Sequence, residues 1–468
     1  MRTLIVDTKN KAEQEVEVAG WIHTRRDHGK LIFVDLRDRS GLLQVVFAPN
    51  DKEMHELANT LRNEWVVRIT GKITERPEKM VNPEIETGTV ELQPTKLEIV
   101  SEAKTPPFAI DTDGREIGEE HRMKYRYLDL RRKRMLENLM LRHRVSTLAR
   151  EYLNKNGFIE IETPTLTKTS PEGARDFLVP SRFHPGKFYA LPQAPQQYKQ
   201  LLMIAGIEKY YQLAHAFRDE DLRGDRQFEH TQIDMEMSFV EEKDIRDTVE
   251  GLMVHIVESC GKKVMQKPFP VFTHEEATKK FGADKFDLRE DKDPNVFAFA
   301  WVTDFPLLEW NDESKKYTFA HNPFSAPKKE HVEKLLKEED LGNLRAQQYD
   351  LVCNGYEVAS GGVRISNPDI QRKVFEIMGL DKETTEERFG HLINAYEYGA
   401  PPHAGIAPGL DRLVMLLANE QDIREVIAFP MSSHGQTSVM DAPSEASEKQ
   451  LAELHIKVSG EEGEQDSK

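Results

Sequence analysis

At 468 residues, with 38% hydrophobic and 31% charged side chains, the chain is long enough for two or three domains with substantial cores and is no small stapled module. It contains no apolar run approaching the roughly 18 residues of a membrane span, MRTLIVDTKNKAEQ lacks the apolar core of a secretory signal, and Cys260 and Cys353 are too far apart for a disulfide framework or a CxxC metal site, so a cytoplasmic globular protein is expected. The net charge of -17 argues against a nucleic-acid partner, yet residues 1–100 hold 15 basic against 17 acidic side chains, a net of -2 that leaves -15 for the remainder, so an N-terminal unit can still present a basic face.

Residues 15–100 read as short strands, EVEVAGWIHTRR, KLIFVDLRD, GLLQVVFA, EWVVRITGKITE and GTVELQPTKLEIV, with KEMHELANTLR as the one helix between them. Their alternation and β-branched content predict a small OB-type barrel over residues 1–103. The charged stretch 104–130, with KTPPF, reads as a linker. From 131 the texture changes. Leu141, Val145, Leu148 and Tyr152 recur at helical spacing, Gly157 ends that helix, and FIEIETPTL follows as a strand. DFLVPSRFHPGKFYALPQ predicts two strands around a turn, PQQYKQLLMIAGIEK a helix, and YYQLAHAFRDED with EHTQIDMEMSFV two antiparallel strands. The expected fold for 131–441 is an α+β domain on an antiparallel sheet, followed by an extension over 442–468 whose last ten residues read as disordered.

The chemistry concentrates in four segments. RDEDLRGDRQFEH joins two strands through a loop dense in Arg and carboxylates, suited to gripping a polyphosphate and a purine, although composition alone favours a solvated hairpin tip. GIAPGLDRLVMLLAN feeds a strand into an amphipathic helix and puts Arg412 in its first turn, where free N–H groups and the helix dipole favour an anion. In YDLVCNGYEVASGGVRI, Asp350 and Glu357 converge only if Asn354-Gly355 reverses the chain; they would then suit a hard cation such as Mg²⁺. PEGARDF with QAPQQYKQ adds Glu172, Gln196 and Lys199.

Together these segments resemble the three signature motifs of the class II aminoacyl-tRNA synthetases, most nearly the bacterial-type aspartyl family. GFIEIETPTL is similar to motif 1, which builds the family's dimer interface; FRDEDLRGDRQFEHTQID to motif 2; GIAPGLDR to motif 3; WIHTRRDHGKLIFVDLRDRSGLLQVVF to the anticodon-binding barrel; and SEKQLAELHIKV to the C-terminal extension. The resemblance implies a homodimer that activates L-aspartate with ATP and Mg²⁺ and charges tRNA. It implies that Arg218 bridges the aspartate carboxylate and the α-phosphate, with Asp219, Glu220, Gln227 and His230 along the nucleotide. Arg412 holds the γ-phosphate within the turn Gly409, Leu410 and Asp411, and Asp350 and Glu357 hold Mg²⁺. Arg364 and Lys199 take the substrate side-chain carboxylate, Glu172, Gln196 and Asp234 place its amino end, and His321 closes over it. A guanidinium built for a bidentate carboxylate would reject asparagine by roughly 10⁴-fold. In the barrel, Phe33 stacks on an anticodon base, Gln44 reads a base edge, and Arg25 and Arg26 meet phosphates. Read without the resemblance, Phe33 is a core residue and Gln44 a surface one.

The chain departs from the family in four places. His230 replaces an adenine-stacking Phe, Ala194 a Ser, and Pro408 a larger apolar residue, while FGADKFDLREDKDPNV runs directly into FAFAWVTDFPLLEW without the domain that bacterial members insert. His28 follows members that charge both tRNA(Asp) and tRNA(Asn), whereas Lys79 does not; the balance favours the relaxed type. A non-catalytic RNA-binding paralogue and an asparaginyl enzyme are the alternatives. The first is disfavoured by the many charged residues a retired site would not keep, the second by Arg364 with Lys199.

Overall fold

The computed structural model describes residues 1–169, 173–312 and 315–459, so Glu172 and all but the first of the last ten residues lie outside the described residues. The chain separates into two compact units, Met1–Leu136 and Glu137–Lys468.

In the first unit, β1 (Glu15–His28), β2 (Leu31–Asp38), β3 (Gly41–Phe47), β4 (Val66–Glu75) and β5 (Val90–Ser101) close into a barrel in the order β1-β2-β3-β5-β4. Every second side chain points inward: Val16 and Val18, Ile32, Val34 and Leu36, Val67 and Ile69 form one buried core. Closure needs bends, and β4 against β5 shifts register between Thr70 and Gly71, opposite Pro94, the strand residue that has no N–H to donate. A Cβ on Gly71 would lie 2.3 Å from the Gln93 carbonyl oxygen, so no larger residue fits there.

The stretch read as a linker is not an open tether. It contains helices Glu119–Lys124 and Arg126–Asp129 and belongs to the first unit. Its charges are core material: the Asp129 carboxylate accepts from Arg122 Nη2 at 3.0 Å, Arg126 Nη1 at 2.8 Å and Arg132 Nε at 2.8 Å, and all four residues are buried. Burial opposes ionisation of Asp129, but the three guanidiniums overcome it and hold the carboxyl below its ordinary range. Charge density alone could not distinguish this knot from a solvated segment.

The second unit is built on an eight-stranded sheet in the order Val271–Thr273, Phe299–Thr303, Gln348–Cys353, Tyr356–Val363, His403–Pro408, Glu229–Ser238, Lys209–Phe217, Ile159–Glu160. The six central strands are antiparallel, and each edge strand pairs parallel to its neighbour. One face packs on helices Lys133–Lys155, Glu242–Ser259 and Leu410–Leu417 through residues such as Val145, Leu153, Val249, Met253 and Val414. The other face carries the site. Only Ile159–Glu160 of the FIEIETPTL segment is strand, because it forms the sheet's outer edge and beyond it Ile161 bonds to the Tyr211 carbonyl while Thr163 turns to the Gln212 side chain and not to backbone.

Replacing Asp129 by Asn is expected to remove the carboxylate that three buried guanidiniums share and to cost about 3–5 kcal/mol. Urea unfolding followed by Trp fluorescence measures it; a loss below about 1 kcal/mol would mean that water, and not Asp129, solvates those arginines.

Candidate functional site

The strand Glu229–Ser238 explains how a charged sequence can be sheet. Ile233, Met235 and Met237 join the apolar core, so the alternate residues His230, Gln232, Asp234 and Glu236 face the opposite way. The first three line a cavity of ≈ 310 Å³ on that face. Into it also project Gln196 and Lys199 from helix Gln196–Ile204, Arg218, Glu220 and Gln227 from the loop between the two long strands, His321, Glu357, Arg364, and Gly409, Asp411 and Arg412 from the strand-to-helix turn.

At the floor lies a buried quartet. Lys199 Nζ is 2.8 Å from Asp234 Oδ2 and 3.3 Å from Glu236 Oε2, while Arg364 reaches Glu236 through Nε at 2.9 Å and Nη2 at 3.2 Å. Glu236, absent from the sequence-derived set, therefore occupies the bidentate edge of Arg364 that was expected to receive substrate. The reason is that a guanidinium buried this deeply requires a permanent counter-charge. Nη1 is the remaining terminal nitrogen, and no bond to it is found among the described residues. The alternation of Asp234 with Glu236 in TQIDMEMSF was the available signal. Burial opposes ionisation of Glu236, but Arg364 and Lys199 hold its carboxyl low; Asp234 is pushed up by burial, with Lys199 only partly offsetting this. Space for the pair depends on Gly405, where a Cβ would sit 1.8 Å from Glu236 Oε2.

The wall formed by Arg218, Glu220 and Arg412 is held differently. Arg218 donates from Nε to the Gln193 carbonyl at 3.3 Å, and Glu220 pairs with Arg226 at 2.6 Å. Arg412 reaches Asp225 at 3.0 Å and donates to the Glu357 carbonyl at 2.8 Å. Gln227 accepts from Met431 N, and its buried Nε2 has no partner among the described residues, as is also true of Gln232 Oε1. Burial, reinforced by Arg218 and Arg412, pushes His230 down to about 3, so its imidazole is neutral at physiological pH. Burial likewise lowers His321.

Three of the proposed ligands stand apart from the cavity wall. Asp219 pairs with Arg175 at 3.4 Å, Leu410 packs in the apolar core, and Asp350 is buried behind Ser360. Asp411 lines the cavity but is committed to structure, accepting from Thr231 N at 2.7 Å and from Arg142. The hairpin bearing the two carboxylates does turn at Asn354-Gly355, both at positive φ (52° and 93°). Burial, then the nearness of Glu357, pushes Asp350 well up; Glu357 itself is opposed by burial but held down by Lys285, 2.9 Å away, and by Arg412.

On the barrel, a cavity of ≈ 670 Å³ is lined by Arg25, Arg26, Gln44, Arg76, Asn82 and other residues, but not by Lys79. Phe33 is outside the core: Ile32 and Val34 point inward, and Phe33 lies half-buried across from Arg26 and edge-on to His28, ring centroids 5.6 Å apart. Gln44 is buried and donates to Glu91 at 3.0 Å; Arg76 meets the same carboxylate at 3.5 Å. Glu91 and Arg76 carried no distinguishing signal in the sequence.

A nucleotide-sized cavity of converging cations on an antiparallel sheet, in a chain with an OB barrel, defines a class. Residues 118–433 match the family of class II tRNA synthetases (D, K and N) and residues 16–100 the OB-fold nucleic acid binding domain; the chain belongs to the class II tRNA synthetases. It is 42% identical over 570 aligned residues to the aspartate-tRNA(Asp/Asn) ligase of Rubrobacter xylanophilus (95% of this chain, 94% of the relative) and 40% identical over 577 to the aspartate-tRNA ligase of Staphylococcus saprophyticus (96% and 98%). Those alignments exceed the chain's 468 residues, so these relatives carry segments it lacks. Among solved structures, the asparaginyl-tRNA synthetase of Pyrococcus horikoshii shares the fold with a TM-score of 0.74 at 22% identity, covering 92% of this chain and 98% of that one. The aspartyl tRNA synthetase of Entamoeba histolytica does so with a TM-score of 0.73 at 21% identity (92% and 91%).

His230 predicts a pH dependence. Because its folded value of about 3 lies below the ordinary 6.5, the unfolded chain binds a proton that the folded one refuses. Its contribution to stability therefore declines as pH falls from about 6.5 toward 3, with a limiting slope of about 1.4 kcal/mol per pH unit. In His230→Phe that slope should be lost, so the difference between parent and variant stability, measured by urea unfolding across the window, should itself change with pH; parallel curves would show that the imidazole is solvated.

Proposed function

We propose that the chain is an aspartate-tRNA ligase, forming aspartyl-adenylate from L-aspartate and ATP and transferring the aspartyl group to the 3′ end of tRNA(Asp), with tRNA(Asn) as a second acceptor. The observation that carries this reading is that Lys199, Arg218, Arg364 and Arg412, drawn from distant segments, line one cavity. The names of the Rubrobacter and Staphylococcus relatives support aspartate as the amino acid. For tRNA(Asn) the support is the Asp/Asn ligase name of the Rubrobacter relative and His28.

In the first step an aspartate α-carboxylate oxygen attacks the α-phosphorus, and the bond to the bridging oxygen breaks to release pyrophosphate. Arg218 neutralises charge between the two reactants, and Arg412 holds the distal phosphates with Gly409 closing the turn. Glu220 and Gln227 hold the nucleotide, its base against neutral His230. In the second step the terminal ribose hydroxyl attacks the acyl carbon and AMP leaves. No covalent enzyme nucleophile is required. Lys199 and the Nη1 edge of Arg364 receive the side-chain carboxylate, Asp234 and Gln196 attract the ammonium, and His321 closes over the site. Glu357 on the cavity wall, with Asp350 buried next to it, would hold Mg²⁺, which when bound would offset phosphate charge. Phe33, Gln44 and Arg26 read the anticodon. Exposed Ile159 on the short edge strand, with exposed Leu166 and Leu178 further along the chain, supports a homodimer, and a role in translation fits the cytoplasm.

ATP-pyrophosphate exchange should be stimulated by aspartate and not by asparagine, and Arg218→Ala should reduce it by about 10³-fold or more. Exchange driven by asparagine would replace this reading with the asparaginyl one, and its complete absence would favour a non-catalytic protein. Charging of tRNA(Asn) transcript beside tRNA(Asp) decides the second acceptor.

A further inference from the structure

Lys285 was not among the residues the sequence pointed to. It stands on the loop that follows helix His274–Phe281, in the FGADKFDLREDKDPNV segment. The loop is anchored. Phe286, next to Lys285, is buried, stacks on Phe281 with ring centroids 4.0 Å apart, and accepts a backbone hydrogen bond from Gly355 at 3.0 Å. Gly355 belongs to the turn between the strands that carry Asp350 and Glu357. The lysine backbone is thus fixed to the carboxylate hairpin, and its ammonium meets Glu357 Oε2 at 2.9 Å.

Among the described residues, no other cationic side chain lies within ion-pair distance of that carboxylate. Arg412, the nearest alternative, spends its guanidinium on Asp225 and on the Glu357 carbonyl. A divalent cation shared by Asp350 and Glu357 would stand within a few ångströms of the Lys285 ammonium on Glu357 Oε2, where like charges in a partly buried site repel by several kcal/mol. Occupancy of Glu357 by the one therefore weakens occupancy by the other.

We propose that Lys285 is a positioning residue, a tethered counter-ion of Glu357 that competes with the divalent cation and is displaced when metal and nucleotide bind. The loop then sets the metal concentration at which the site fills. This rests on the ligase reading, since it needs a metal-nucleotide substrate.

The test is free-Mn²⁺ titration by electron paramagnetic resonance on the full chain with α,β-methylene-ATP, which binds without reacting. Lys285→Met should bind Mn²⁺ about tenfold more tightly than the parent, and Lys285→Arg should stay within about twofold of it; by converting the tenfold change, the ammonium's competition corresponds to about 1.4 kcal/mol. Circular dichroism checks the fold, and Lys285→Gln serves as second variant if Lys285→Met is unfolded. Equal or weaker binding by the charge-removing variants overturns the proposal. No Mn²⁺-nucleotide binding by the folded parent overturns the ligase reading instead, and the proposal with it.

Discussion

Everything at the floor of the site depends on Glu236 neutralising Arg364 inside the sheet. A guanidinium and an ammonium out of water are tolerable only with counter-charges in bonding geometry, and the quartet of Lys199, Arg364, Asp234 and Glu236 supplies them before any substrate arrives. The arrangement is pre-organised: Arg364 is gripped along one edge, so its other edge is aimed without reorganisation. It is also balanced. A pocket holding two cations and two carboxylates does not select an acidic amino acid through net charge, so selectivity comes from where the free donors point.

That requirement extends into the backbone. Glu236 fits only because Gly405, its partner on the adjacent strand, has no side chain. The opposite wall of the cavity shows the same economy: Arg218 is held by the Gln193 carbonyl, Arg412 by Asp225 and Glu220 by Arg226. Each of these charges, like Lys285 on Glu357, rests on a partner within the protein.

Burial converts the histidines from charge carriers into neutral surfaces. His230, lowered by burial and by Arg218 and Arg412, does not add a third positive charge to the cavity and presents a neutral ring to it. In the barrel, strand alternation does comparable work by turning Phe33 outward toward solvent while its neighbours fill the core.

The sequence by itself determined the barrel, the strand pair with its charged loop, the turn at Asn354-Gly355 and the helix entry that carries Arg412. These rest on local periodicity and turn chemistry, which a few neighbouring residues decide. Only the tertiary structure decided that Glu236, and not substrate, grips Arg364, that residues 104–130 form a buried charge knot around Asp129, that Asp350 sits behind Ser360, and that Lys285 faces Glu357. Three of these are pairings of charges brought together by folding and one is a carboxylate buried beside a cross-strand serine; a charged residue reads the same in a string whether water or a buried partner solvates it.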